Sequence, residues 1–208
     1  MSIIKTVWNT EYKLIIDQDE CAESPREWSN VWTLVTAHRN YSWDEELPHD
    51  CADMDSAFEE HLSQKWLWDE DIFFHKVWLM DHGWISIQTS PYWCRFDSWH
   101  WWYIYTTIKN AEEEFGMSTS EIEEGKNLED KALEYLDNEI KILNKYYSWN
   151  IYQFIIESRE IIEKDWKKFH DDWDVNDSCW WFYEVSDIIW HIDSDIFSDE
   201  EIKNYDIN

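Results

Sequence analysis

Residues 97–107 read DSWHWWYIYTT, three tryptophans and two tyrosines beside isoleucine and threonine. Aromatic and β-branched side chains in this density fit a pleated, half-buried surface, so the stretch predicts a strand with Tyr103 and Tyr105 on one face. The competing reading is an aromatic platform on which nucleobases stack. Such platforms sit in basic grooves, and the flanks here are acidic. Upstream, FFHKVWLM (73–80) and WISIQTS (84–90) share the same composition. Turn-prone breaks at Asp81-His82-Gly83 and Ser90-Pro91 separate them, which gives three strands of one sheet.

Working outward, IIKTVWNTEYKLIIDQD (3–19) predicts a hairpin around Asn9-Thr10. In ESPREWSNVWTLV (23–35), Pro25 follows Ser24, and Trp28, Val31, Trp32 and Val35 fall at helical spacing, so a helix is expected. DMDSAFEEHLSQKWLW (53–68) predicts a short amphipathic helix capped by Asp55 or Ser56. IKNAEEEFG (108–116) predicts another, stopping at Gly116. The clearest helix is NLEDKALEYLDNEIKILNKYY (127–147), where Leu128, Ala132, Leu136, Ile140 and Leu143 share a face. NIYQFIIES (150–158) returns to strand, EIIEKDWKKFHDDWD (160–174) reads as helical or irregular, and SCWWFYEV (178–185) is a last strand. The expected fold is α+β: one domain over 1–192, with an antiparallel or mixed sheet of about five to seven strands and two or three packed helices. Residues 193–208 are expected to form an acidic, flexible tail.

Seventeen basic against 46 acidic side chains give a net charge of −29. A field of that sign disfavours direct binding to phosphate backbones, whose affinity comes from cationic side chains releasing counterions. Two readings of the charge remain. One is a solvated surface that keeps the chain apart from its neighbours. The other is mimicry of nucleic acid, with carboxylates occupying the groove of a basic, nucleic-acid-binding host protein. No apolar run approaches the length of a membrane span, and MSIIKTVWNTEYK (1–13) lacks the layout of a secretory signal, so a cytoplasmic protein of the host cell is expected. The four cysteines are scattered without a CxxC pair, which signals neither a zinc site nor a disulfide framework. No cofactor is expected.

Candidate chemistry is sparse. Asp81 and His82 are a carboxylate and an imidazole on one turn, the pairing of a general base with its orienting acid, although turn-forming Asp is the plainer role. Cys94 in SPYWCRFDS (90–98) is a nucleophile if a histidine approaches it, with Asp97 as a further carboxylate; a lone cysteine among aromatics is more commonly a small buried hydrophobe. Cys179 beside Asp177 has a neighbour that raises a thiol pKa. His38, Arg39 and Tyr41 in AHRNY are candidates for partner binding, against the plainer role of balancing nearby acids. His61, His75 and His82 lack metal-ligand spacing, and no phosphate-cradling or nucleophile-elbow glycine motif is present.

Four stretches taken together, SPREWSNVWTLVTAHRNYSWDEE (24–46), LMDHGWISIQTSPYWCRFDSWHWWYIYTT (79–107), LNKYYSWNIYQF (143–154) and DSCWWFYE (177–184), carry a resemblance. In order and spacing the chain resembles a family of uncharacterised proteins found in bacteriophages and other mobile elements, over roughly residues 10–184. The resemblance implies an accessory role in such an element and brings no activity with it. The function expected is therefore a non-enzymatic, acidic protein-binding module, the alternative being a small hydrolase using Asp81, His82, Cys94 or Asp97.

The departures from that family are systematic. Trp32, Trp43, Trp84, Trp99, Trp102, Trp149 and Trp181 stand where the family has glycine, whereas Trp28 and Trp180 match family tryptophans. Composition agrees: the chain has 3 glycines and 18 tryptophans, where ordinary usage of glycine predicts about 15. The expectation, the alternative being a genuinely tryptophan-rich branch of the family, is a gene in which UGA encodes glycine. On that reading the indoles of Trp99 and Trp102 should be exposed or poorly packed.

Overall fold

The computed structural model describes residues 2–28, 30, 32–38, 43–47, 53–94 and 98–205, and the chain is α+β. It falls into two compact units, Met1–Glu23 with Trp149–Asn208, and Ser24–Ser148. Each unit is built on its own five-stranded sheet, so the strands expected in one sheet are divided between two.

In the discontinuous unit, β1 (Ser2–Val7) and β2 (Thr10–Gln18) form the expected hairpin, with Val7 opposite Thr10 across the Trp8–Asn9 turn. β2 pairs with β8 (Tyr152–Lys164), and β8 with β10 (Asp174–Phe182). β9 (Lys167–His170) folds back on the far end of β8. Residues 160–174, expected to be helical or irregular, are therefore a hairpin turned at Asp165-Trp166 and continuing into β10. The alternation of the strands puts Leu14, Ile16, Phe154 and Ile156 on one face. That face is covered by α4 (Val185–Ile188), α5 (Asp199–Lys203) and the segments around them.

The C-terminal segment corrects the expectation of a flexible tail. Phe197 and Ile202 are buried in this core, Ser198 and Glu201 form a capping box that starts α5, and the Tyr205 hydroxyl accepts the Ile16 N–H at 3.2 Å. The acids between these residues point outward and hid a short amphipathic pattern. Residues 206–208 lie outside the described residues.

In the other unit the strand order is β4-β3-β7-β5-β6, comprising β3 (Thr33–Thr36), β4 (Glu45–Glu46), β5 (Ile72–Asp81), β6 (Ile85–Gln88) and β7 (Ser98–Thr107). β7 is the central strand, paired antiparallel to both β3 and β5. Its side chains divide between two layers. Trp102 and Ile104 join the core under α3 (Leu128–Tyr147), while Tyr103 and Tyr105 join the core under α1 (Met54–Gln64). The five apolar residues picked from the 127–147 pattern are all buried, and Asn127 with Asp130 closes a capping box at the helix start. α2 (Ile108–Phe115) stops at Gly116, whose φ is +63°. The cap of α1 is Asp53, not Asp55 or Ser56.

The helix expected after Pro25 is a single 3₁₀ turn, Pro25–Glu27. Residues 33–36 are instead strand β3, with Val35 opposite Tyr103 and Thr36 opposite Trp102. Thr, Val and Trp read equally as a helical stripe or as β-formers, and here tertiary pairing decides. Among the described residues no helix is long and apolar enough to cross a membrane.

The buried C-terminal segment predicts that Phe197→Ala destabilises the protein by about 3–5 kcal/mol in denaturant unfolding. A change within about 0.5 kcal/mol would return residues 193–205 to a loosely attached tail.

Candidate functional site

The residues singled out from sequence fall on separate segments, and three of them lie outside the described residues. Asp81 ends β5 and His82 follows it in the turn to β6, both exposed. The Asp81 carboxylate accepts the Gly83 N–H at 3.3 Å, and the His82 N–H reaches the Trp84 carbonyl at 3.2 Å. Asp81 thus shapes the turn, as its plainer role required. Cys94 is half-buried, and its carbonyl oxygen accepts the Ser98 hydroxyl. His38 is half-buried just beyond β3. Asp97, Arg39 and Tyr41 lie outside the described residues. Among the described residues no three His, Cys, Asp or Glu side chains converge as a metal-binding set.

A different constellation is better formed. The 3₁₀ turn at Pro25–Glu27 sends the Arg26 side chain inward, where it is only 4% exposed. Its Nη1 donates to Glu139 Oε2 of α3 at 2.8 Å, and its Nη2 to the Trp32 carbonyl at 2.9 Å and to the Asp44 carboxylate. Asp44 also accepts the Leu34 N–H at 2.8 Å, so the cluster ties the turn, the start of β3 and α3 together. Arg26 Nε has no hydrogen-bond partner among the described residues. A pocket of about 210 Å³ opens beside the pair, lined by Pro25, Trp28, Asn30, Tyr135 and Ile142 as well as Arg26 and Glu139.

Burial pushes the Glu139 carboxyl up to about 7, against the pull of the Arg26 guanidinium, and nearby Asp44 adds to the rise. A carboxyl that titrates near neutrality in a concave pocket is the kind of group that donates and accepts protons in catalysis. Here, however, Arg26 is shared between two carboxylates. The arrangement supplies no free cation for an anionic substrate, and its direct effect is to clamp three elements. Sequence reading missed it because Arg26 and Glu139 lie 113 positions apart. The only local signal was a basic residue directly after Pro25.

A second cluster fastens α1 to the sheet. Asp55 accepts from Lys76 Nζ at 2.7 Å and from the Tyr103 hydroxyl, and lies 3.2 Å from His100 Nε2. The Lys76 hydrogen bond, followed by that of Tyr103, holds the Asp55 carboxyl below its usual range. Burial, reinforced by Asp55, pushes the Tyr103 phenol far up, so it stays protonated as a donor. Its ring stacks on Phe58 with centroids 4.0 Å apart and the residue is buried, so no aromatic face is open for a base.

The third feature is an acidic loop. Between α2 and α3, Ile122 is 74% exposed and is flanked by exposed Glu121, Glu123 and Glu124. Glu113 and Glu114 at the end of α2 are exposed as well. The Ser118 N–H and hydroxyl hold the Glu121 carboxyl below its usual range, so it stays ionised. The Glu123–Lys126 pairing fixes the loop around a tight turn at Glu124-Gly125.

Comparison of the chain with models of known families, with curated proteins and with solved structures finds no match in any of the three.

The shifted Glu139 carboxyl has a measurable consequence. Its folded value lies above the ordinary 4.5, so the folded protein keeps a proton that the unfolded chain releases. Stability contributed by this group is present below about pH 4.5 and is lost as pH rises to about 7. Wild type should therefore lose thermal stability relative to Glu139→Gln across that window. A constant difference between the two proteins would show that the Glu139 carboxyl titrates alike in the folded and unfolded states.

Proposed function

We propose that the protein is an acidic, non-enzymatic binding module whose partner is a basic, nucleic-acid-binding protein. The observation that carries this reading is the exposed Ile122 set among exposed glutamates. An exposed apolar side chain in an acidic loop, where Lys126 and Lys131 are already paired with Glu134 and Glu123, is the layout of an anchor with a polar rim. A cationic groove built for phosphates supplies the complementary charge.

The way the chain spends its few cations supports the same reading. Lys13, Lys65, Lys76, Lys131 and Arg159 each lie 2.5–2.8 Å from a carboxylate of their own chain. Neutralised internally, these groups offer little to an anionic ligand, while most of the acidic excess faces solvent. The resemblance to proteins of bacteriophages and mobile elements suggests where such a partner belongs, namely among host nucleic-acid-binding or defence proteins. A small hydrolase has less support, because Asp81 is engaged in its turn and Cys94 lies outside that turn.

Competition tests the proposal. With a purified cationic DNA-cleaving nuclease as probe, the protein should bind at low salt, be displaced by duplex DNA, and lose at least about tenfold in affinity between 50 and 200 mM salt. Reversing the charge of Glu121, Glu123 and Glu124 to lysine should weaken binding by a further tenfold or more. Absence of binding at low salt, or a triple variant that binds like wild type, would overturn it.

A further inference from the structure

We infer that the gene is decoded with UGA as glycine, and that the polypeptide made in its own cell carries glycine at positions 8, 66, 149, 166 and 181. The backbone carries this inference, independently of any partner. Among the described residues, seven non-glycine residues have positive φ, and five of them are Trp8, Trp66, Trp149, Trp166 and Trp181, at 58°, 60°, 55°, 63° and 71°. An L-residue pays for that region through contact of its Cβ with the backbone, and a bulky side chain there is an outlier.

Each position is one that glycine fills for a known reason. Trp66 follows Lys65, the C-cap of α1, and its N–H reaches the Ser63 carbonyl at 3.1 Å while the Leu67 N–H reaches the Leu62 carbonyl at 3.0 Å. That pair of bonds is the Schellman motif, whose left-handed residue is ordinarily glycine. Trp149 occupies the corresponding place after α3. Trp8 is the first residue of a two-residue hairpin turn, and of the two turn residues it alone has positive φ. This is the type II′ pattern, with glycine first. Trp181 sits where the register between β10 and β8 shifts, a bulge position that glycine favours.

The chain also supplies its own comparison. Glu124 and Gly125 turn with φ of 52° and 80°, and Asp165 and Trp166 turn with 53° and 63°. Both are two-residue turns with left-handed backbone at both positions, the geometry that selects Asn-Gly and Asp-Gly. One has glycine second and the other has tryptophan. Likewise Gly116 ends α2 at φ 63°, beside the 60° and 55° of Trp66 and Trp149. All three glycines of the chain have positive φ.

The indoles gain little in return. Trp8 is 94% exposed, Trp66 85%, and Trp166 fully exposed. Trp173 is the contrast: Arg159 lies 4.3 Å and Lys13 5.6 Å from its ring centre, contacts that need an aromatic face.

The coding DNA tests this directly. TGA is expected at the five codons and TGG at Trp173; TGG at any of the five overturns the inference. Peptides of the polypeptide isolated from its own cell should show glycine masses at these positions, and tryptophan masses at TGA codons overturn it equally. As a third measurement, the synthetic chain carrying all five Trp→Gly substitutions should unfold on the order of 10 °C above the literal chain, as relief of left-handed strain at each site adds up. An equal or lower midpoint counts against the inference.

Discussion

Both units depend on sharp reversals made in left-handed backbone. The register of β1 on β2 follows from the Trp8–Asn9 turn, and that of β8 on β9 from Asp165-Trp166. The residues after α1 and α3 redirect the chain in the same conformation. A one-residue error at such a turn would move a strand's core side chains to the solvent face. Leu14 and Ile16 lie opposite Ile156 and Phe154 across the β2–β8 pair, and the hairpins extend that sheet on either side. The cost of the reversals is therefore borne by the whole sheet, and the side chain placed at each turn matters beyond its own surroundings.

Charge is the second organising constraint, and it works through pairing. With 17 basic residues against 46 acids, each internal ion pair consumes a scarce cation. The pairs fall where elements must be joined: Arg26 between a turn and α3, Lys76 between β5 and α1, and Lys13 and Arg159 across neighbouring strands. Cations placed as fasteners leave fewer for the outer surface, where carboxylates outnumber the exposed lysines such as Lys109, Lys141 and Lys168. Assembly and the acidic exterior are two consequences of one distribution of lysine and arginine.

How far the fold was legible depended on whether its signals were local. The α3 stripe and the β5–β6–β7 run were readable because their periods persist over many residues and their stops, Asn127 and Gly116, are turn or cap residues. The 25–36 segment misled because Trp, Val and Thr fit two periods, and pairing with β7 chose between them. The β8–β9 hairpin was hidden for a different reason. Asp-Gly is a strong hairpin signal, but the sequence shows Asp165-Trp166 there, so the turn could not be seen. Of the candidate site, Arg26 and Glu139 were invisible because only the docking of α3 brings them together. Asp81 and His82 were visible as neighbours, and the turn that holds them uses the Asp81 carboxylate to accept the Gly83 N–H.

The tryptophans thus divide by what holds them. Five are fixed by backbone conformation, and Trp99, about half exposed, fits the expectation for its indole. Trp102 does not: it is fully buried against Tyr147, and Trp32 is buried between Phe115 and Tyr135. They are buried, yet the indole N–H groups of Trp32, Trp43 and Trp102 have no hydrogen-bond partner among the described residues, a cost of about 1–3 kcal/mol each. Glycine at these positions would remove that cost and leave a void next to α3. Close-packed interiors do not keep voids of that size, so α3 would have to settle nearer to β3 and β7. At the five turn and bulge positions glycine fits the present backbone unchanged, whereas at Trp32 and Trp102 it requires the helix to move.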